Sequence, residues 1–437
     1  MSAAAMQGLA AHRGALLHFL SDPGEFDDAA AYEYFEDGLL LIEDGKVSAV
    51  GLAPDLLAQL PAGTPLTEHS DRLLMPGFID THIHVPQTDM IASGGRQLLD
   101  WLNDYTFPTE ARFADYAHGR EVAEFFLDEL LRNGTSTAQV FGSVHKASVD
   151  SFFDAAAERG LRMIAGKSLM DRNCPDYVRD TAESGERDTR ELIERWHGVG
   201  RLSYAITPRF APTSTEQQLE SAGRLAREYP TVYIHSHLAE NHAEIAWVKQ
   251  LFPWSRSYLD VYEHYGLLRE RATYAHCIYL DTDDRHRMAA SGACAACSPT
   301  SNLYLGSGLF DFAACDRAGM GYALATDVGG GTSFSMLRTM SEAYKVAQMQ
   351  NQRLPPLRAF YLATLGGARV LHLQDRIGSF RVGNEADFIV LDLAATPLMK
   401  RRIANTQTLN EKLLVLMTLG DDRLVAQTYI RGLAVLP

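Results

Sequence analysis

The chain has 437 residues, 46% of them hydrophobic and 22% charged, the proportions of an ordinary soluble globular protein with room for one large domain or for a large and a small one. A formal net charge of −15 argues against a general binder of nucleic acid or anionic membrane and favours a small-molecule partner. Five scattered cysteines make no disulfide framework and point to a reducing compartment, the cytoplasm, and no apolar run reaches the length of a membrane span.

In chain order, "AAHRGALLHFLSDP" (10–23) has a short apolar run broken by His18 and no small-residue cleavage site, so it reads as a strand rather than a signal peptide. "GLLLIEDGKVSAVG" (38–51) alternates around Asp44-Gly45, a dipeptide that marks a hairpin turn. From about Leu74 to Leu373 apolar strands alternate with helical stretches. Strands are expected at 78–83, 136–141, 162–169, 202–207, 231–236, 273–278, 293–297 and 321–326. Eight strands separated by helix-length segments such as 117–134 predict an α/β fold of the (β/α)8 TIM-barrel type, with its chemistry at the C-terminal strand ends. Residues 378–393 and 424–437 return to strand patterning, so the two chain ends are expected to form one small composite β-sandwich. The expected organisation is residues 1–74 and 376–437 in the sandwich and 75–375 in the catalytic barrel.

The strand ends carry the chemistry. In "PGFIDTHIH" (76–84), His82 and His84 stand at i and i+2, which share one face of a strand. By itself H-x-H is a weak signal. The fifth strand, however, ends in His237 with Glu240 three residues on, the sixth in His276, and the eighth in Asp327. Three imidazoles and a carboxylate suit a borderline divalent ion such as zinc, with a position left for a water whose pKa the ion lowers. Glu240, close to the ligand set but outside it, can move protons between that water and a leaving group. The glycines after Asp327 read as a tight turn, because the lysine of a phosphate-binding loop is missing.

Together "PGFIDTHIH", the His237 and His276 strand ends, "SPTSN" (298–302), "TDVGG" (326–330) and "VGNEADFIVLD" (382–392) resemble the amidohydrolase superfamily over nearly the whole chain. Within it, residues 84–113, 207–215, 235–241 and 325–337 are similar to the guanine deaminases. The resemblance implies one zinc ion per subunit held by His82, His84, His237 and Asp327, with Glu240, His276 and Asp327 catalytic. It also implies guanine as substrate, contacted by His84, Gln87, Arg209, Phe210, His237, Glu240 and Asp327, and a homodimer. In the implied reaction a metal-activated water attacks C2 of guanine, Glu240 protonates ring N3, and ammonia leaves to give xanthine. The motif selects His237 over His235, which is expected deeper in the barrel or supporting the site from behind.

Other readings compete. "HAE" (242–244) and "CAAC" (294–297) resemble the H-x-E and C-x-x-C of the other zinc deaminase fold, yet Ala293 stands where that signature has proline. Cys294 and Cys297 therefore read as small residues of the seventh strand. A binuclear relative would carry a lysine at the fourth strand's end, and "LSYAITPRFAP" (202–212) has none. A non-catalytic scaffold would have lost ligands, and none is lost. Another ring amine, such as 8-oxoguanine, a pterin or a triazine, stays open as substrate. Asp89, Trp101, Tyr105 and Phe107–Glu110 either line the pocket or pack.

Overall fold

Alternating sequence at the start of the chain builds β1 (Leu9–Phe19), β2 (Tyr32–Glu43), β3 (Lys46–Leu52) and β4 (Leu66–Pro76) in the computed structural model, which describes residues 8–94 and 98–435. Asp44 and Gly45 both adopt positive φ, 53° and 77°, as the tight turn of a two-residue hairpin requires. Glu43 then pairs with Lys46, and β1 lies between β2, antiparallel, and β4, parallel.

The barrel follows as β5 (Phe78–His84), β6 (Thr135–Phe141), β7 (Arg162–Gly166), β8 (Ser168–Leu169), β9 (Ser203–Pro208), β10 (Tyr233–Leu238), β11 (Ala272–His276), β12 (Cys294–Cys297) and β13 (Tyr322–Leu324). Eight of these run in sequence order through one sheet, and the two-residue β8 pairs with β9. Every residue of β5 and β6 is buried, as expected of barrel strands covered on both faces. The ring is drawn together where His84 N–H donates to the Val328 carbonyl and Asp327 N–H to the His82 carbonyl, both at 2.9 Å. The expected helix at 117–134 is present as Tyr116–Arg132.

The chain then returns to the first sheet through β14 (Phe388–Asp392), β15 (Val425–Ile430) and β16 (Leu433–Val435), giving the order β16-β15-β14-β4-β1-β2-β3. Leu16, Leu40, Ile42, Leu74, Phe388 and Val390 bury one face of it, each contributing roughly 1.5–3 kcal/mol by leaving water. The strand expected over 378–393 is shorter than its pattern: only Phe388–Asp392 pairs as a strand. Gly378 and Gly383 sit at φ of 82° and 92°, which breaks an extended run, and Val47 N–H instead donates to the Asn384 carbonyl at 2.8 Å. Residues 436–437 of the last expected strand and 95–97 of the 84–113 motif lie outside the described residues.

Two compact units divide the chain. One gathers residues up to Asp80, Asp128–Thr137 and Ser335 onward, and the other comprises Thr81–Leu127 and Ala138–Phe334. All five cysteines are free. Among the described residues no helix is long and apolar enough to cross a membrane.

Candidate active site

Within the second unit the strand ends converge. His82 and His84 project from the same face of β5, His237 from β10 and His276 from the last position of β11. Asp327 lies beyond β13 rather than on it. The strand expected to reach residue 326 stops at Leu324, because the backbone turns at Asp327 with φ 53°. Gly331 makes that turn possible: a Cβ there would stand 1.7 Å from the Thr326 carbonyl oxygen. Ala239, His276 and Cys277 also take positive φ, at 52°, 70° and 51°, so strained backbone gathers where the functional side chains are aimed.

The ligand atoms of His82, His84, His237 and Asp327 all lie within 4.8 Å of one another. Asp327 Oδ1 is 3.0 Å from His82 Nε2 and 3.2 Å from His84 Nε2. His84 Nε2 is 3.1 Å from His82 Nε2 and 3.3 Å from His237 Nε2. His237 Nδ1 donates to the Arg209 carbonyl at 2.6 Å; a carbonyl only accepts, so the neutral ring presents a bare lone pair at Nε2. Convergent imidazole lone pairs a little over 3 Å apart repel one another unless a cation lies among them. The donor set therefore fits a metal, and three nitrogens with one carboxylate oxygen fit zinc.

Burial holds the His84 and His237 rings neutral, which is the form that ligates. It depresses His84 to about 3 and, reinforced by neighbouring imidazoles, takes His237 and His235 well below the usual histidine range. Burial works against the Asp327 carboxylate as well, but His82 and His84 beside it keep it charged, well below the usual range. Phe141 packs against His84 and His82 with ring centroids 4.7 and 5.3 Å away, fixing their planes on the strand side.

His235, expected deeper in the barrel or supporting the site from behind, stands against His82. Fully buried, it places Nε2 2.7 Å from His82 Nδ1. For His82 to offer Nε2 as a lone pair, its Nδ1–H must donate to His235 Nε2. That leaves His235 Nδ1, which has no hydrogen-bond partner.

Glu240 follows β10 and, at 3% exposed, is no solvated carboxylate. Its Oε1 accepts from Ser307 Oγ at 2.7 Å and its Oε2 lies 3.3 Å from His276 Nε2. Burial, then the nearby Asp327 charge, push the Glu240 carboxyl up to about 8. His276 Nδ1 is 2.8 Å from Asn302 Oδ1, so the "SPTSN" asparagine orients that ring. Ser307 carried no sequence signal.

Gln87 and Arg209 meet at a residue the sequence marked only within "FPTE". Arg209 Nη1 donates to Glu110 Oε2 at 2.7 Å, and Gln87 Nε2 donates to Glu110 Oε1 at 3.1 Å. Gln87 Oε1 accepts from Gly329 N–H at 3.1 Å, and the Arg209 guanidinium lies 5.4 Å from the Phe107 ring centroid. A pocket bounded by His84, Gln87, Arg209, His237, Glu240, His276 and Asp327 is closed by the apolar side chains of Leu98, Trp101, Leu102, Phe210 and Leu305. Of the other candidates, Trp101 lines this pocket, whereas Asp89 pairs with Arg112 at 3.0 Å near the surface and Tyr105 is 38% exposed.

The residues of the rival zinc signature do not form a site. Glu244 caps the helix His242–Leu251 by accepting from Glu240 N–H and Asn241 N–H at 3.0 and 3.2 Å. Cys294 and Cys297 lie on β12.

The amidohydrolase family profile matches residues 73–435. The chain is 52% identical over 404 residues, 92% of each chain, to a guanine deaminase of Escherichia coli, and 39% identical over 428 residues to a probable guanine deaminase of Deinococcus radiodurans, covering 96% of this chain and 97% of that one. Its fold superposes on the solved E. coli guanine deaminase with a TM-score of 0.94, at 49% identity, covering 98% and 99% of the two chains. A C. acetobutylicum guanine deaminase solved with guanine in its active site matches at a TM-score of 0.89 and 28% identity, covering 98% of this chain and all of that one.

Proposed function

The chain belongs to the amidohydrolase family, and we propose that it hydrolyses guanine to xanthine and ammonia, with one zinc ion per subunit at His82, His84, His237 and Asp327. The observation that carries this reading is one pocket that brings His84, His237 and Asp327 of the four-ligand cluster together with the Glu240 and His276 pair and the polar pair Gln87 and Arg209 under an apolar roof. Its likeness over 92% of its length to a guanine deaminase names the base.

When bound, zinc lowers the pKa of a water toward neutrality and makes it a nucleophile. This chain's residues do the rest. Arg209 and Gln87 meet the polar edge of the purine through N–H donors and an amide oxygen, and Phe210 walls the ring against solvent. Glu240 Oε2 receives the proton that the attacking water gives up and delivers it to ring N3 as the carbon–oxygen bond forms at C2. His276 and Asp327 hold the water's remaining hydrogen-bond directions; Glu240, a carboxylate again, then takes the proton left on the C2 hydroxyl and gives it to the exocyclic amine, so that the C2–N bond breaks with ammonia leaving as the C2 carbonyl forms. A homodimer is part of the same proposal, resting on the sequence resemblance.

Ammonia release from guanine, measured with metal content and against adenine, cytosine, 8-oxoguanine, a pterin and a triazine, tests this reading. The expected result is a clear preference for guanine in kcat/KM, lost on chelation and restored by zinc. A fully metallated protein that ignores guanine would refute the substrate and leave the metal site standing.

A further inference from the structure

The pocket contains a permanent cation, Arg209, that is 3% exposed. A buried guanidinium facing a substrate cavity alone would make that cavity a receptor for anions. Here its charge is met from behind. Glu110, itself fully buried, holds Arg209 Nη1 at 2.7 Å with one oxygen and Gln87 Nε2 at 3.1 Å with the other. It lies behind the residues that line the cavity.

We propose that Glu110 is the positioning residue of the base-reading site: it clamps the Arg209 guanidinium and the Gln87 amide in one orientation and cancels the arginine charge, so that the pocket prefers neutral purines to anionic ones. Two geometric facts support it. One carboxylate bridges both polar residues, so neither turns without breaking a bond to the other's partner. Gln87 is also pinned at its far end by Gly329 N–H at 3.1 Å, which fixes which amide atom faces which way.

The consequence concerns the product. Xanthine is a stronger acid than guanine and is substantially anionic at mildly alkaline pH. With Glu110 charged, the pair is neutral and the xanthine anion gains no net attraction from Arg209. This inference rests on guanine being the substrate, and its test separates the two.

Equilibrium binding of xanthine to the zinc-loaded protein is measured by calorimetry at mildly acidic and mildly alkaline pH, beside guanine kinetics. Glu110→Gln is expected to bind xanthine roughly tenfold or more tightly than the unaltered protein at alkaline pH, with a smaller change at acidic pH, because the uncompensated guanidinium now attracts the anion. Its KM for guanine should rise more than its kcat falls. Glu110→Asp keeps the charge but shortens the clamp, so it should raise the KM and retain the discrimination against the anion. Arg209→Gln leaves the carboxylate alone and should steepen the loss of xanthine binding with pH, and the double variant E110Q/R209Q should return it to the original dependence. The Arg209→Gln comparison with the double variant decides the matter even if Glu110→Gln does not fold. Unchanged pH dependence of xanthine binding in folded, zinc-loaded variants would overturn the proposal. An unaltered protein that does not deaminate guanine would instead overturn the substrate assignment, while the xanthine comparison would still report the charge at Glu110.

Discussion

Glu240 Oε2 stands 3.3 Å from His276 Nε2, and the two groups complement each other as acid and base. His276 turns Nδ1 toward the Asn302 side-chain oxygen Oδ1 at 2.8 Å, so Nδ1 carries a hydrogen and, in the neutral ring, Nε2 offers a lone pair. Glu240, raised to about 8 by burial and by Asp327, is protonated at neutral pH in the metal-free protein and donates into that lone pair. A cation held by the neighbouring ligand cluster would favour the Glu240 carboxylate, the form that takes a proton from water.

Glu240→Gln should therefore lower kcat by roughly 10²–10⁴-fold with zinc content unchanged, since general acid–base catalysis contributes about that much. It should also alter stability in a definite direction. Between the unfolded value of 4.5 and the folded value of about 8, the native state binds more protons than the unfolded one, so stability falls as pH rises through that window. Glutamine removes this loss. The chelated variant should be more stable than the chelated parent at pH 8, by a few kcal/mol, with the gap closing toward pH 4.5. Denaturation curves across that range check it, and near-normal turnover in the variant would remove Glu240 from proton transfer.

Arg209→Ala should impair guanine use without releasing metal. The bond that orients His237 comes from the Arg209 backbone carbonyl at 2.6 Å, which alanine retains. The same substitution leaves Glu110 buried without its counter-charge, only the Gln87 hydrogen bond remaining, so up to roughly 3–5 kcal/mol of stability should be lost. A large rise in KM, a lower Tm and unchanged zinc content are the expected readings. Loss of zinc would show that the side chain, not the carbonyl, supports the ligand.

His235 makes a sharper test of what stands behind the metal ligands. His82 Nδ1–H needs an acceptor 2.7 Å away. Leucine cannot accept, whereas the amide oxygen of glutamine can. His235→Leu should weaken zinc binding about 10–100-fold, the usual cost of losing a partner behind a metal-bound histidine, and His235→Gln should recover most of it. Equal affinities in the two variants, read by competition with a chelator, would assign His235 to packing alone.

The periodicity of the sequence was enough to place barrel strands near their observed positions, because buried parallel strands are short apolar runs bounded by turns. His82 and His84 were legible as a pair from strand alternation, and His237, His276 and Glu240 from lying at or just past strand ends. Asp327 was legible as a residue but not as a conformation, since its positive φ depends on Gly331 packing against Thr326. Glu110 was marked only within Phe107–Glu110, as a residue that lines the pocket or packs, and Ser307 not at all. Their roles come from contacts 99 and 67 residues distant in sequence, and no local pattern encodes a contact of that range. The strand pattern over 378–387 failed for the opposite reason, two left-handed glycines overriding local β propensity.

His12 on β1 is 4% exposed, with Nδ1 3.1 Å from His69 Nε2 and its ring edge-on to Phe388 and Tyr429 at 5.0 and 4.9 Å. Burial, then the His69 charge, depress His12 to about 4 from an ordinary 6.5. Between those values the unfolded chain binds the extra proton, so the sign is opposite to that of Glu240: stability is full above pH 6.5 and falls as pH drops toward 4. The shift corresponds to about 3 kcal/mol as an upper figure. His12→Gln keeps a partner for His69 but cannot titrate, so its stability should change less between pH 7 and pH 4.5 than that of the parent. Both proteins carry the same active-site histidines, whose protonation and zinc release are common to the two curves and cancel in the difference. A difference that stays constant across this range would mean that the His12 ring is not held neutral by the sheet.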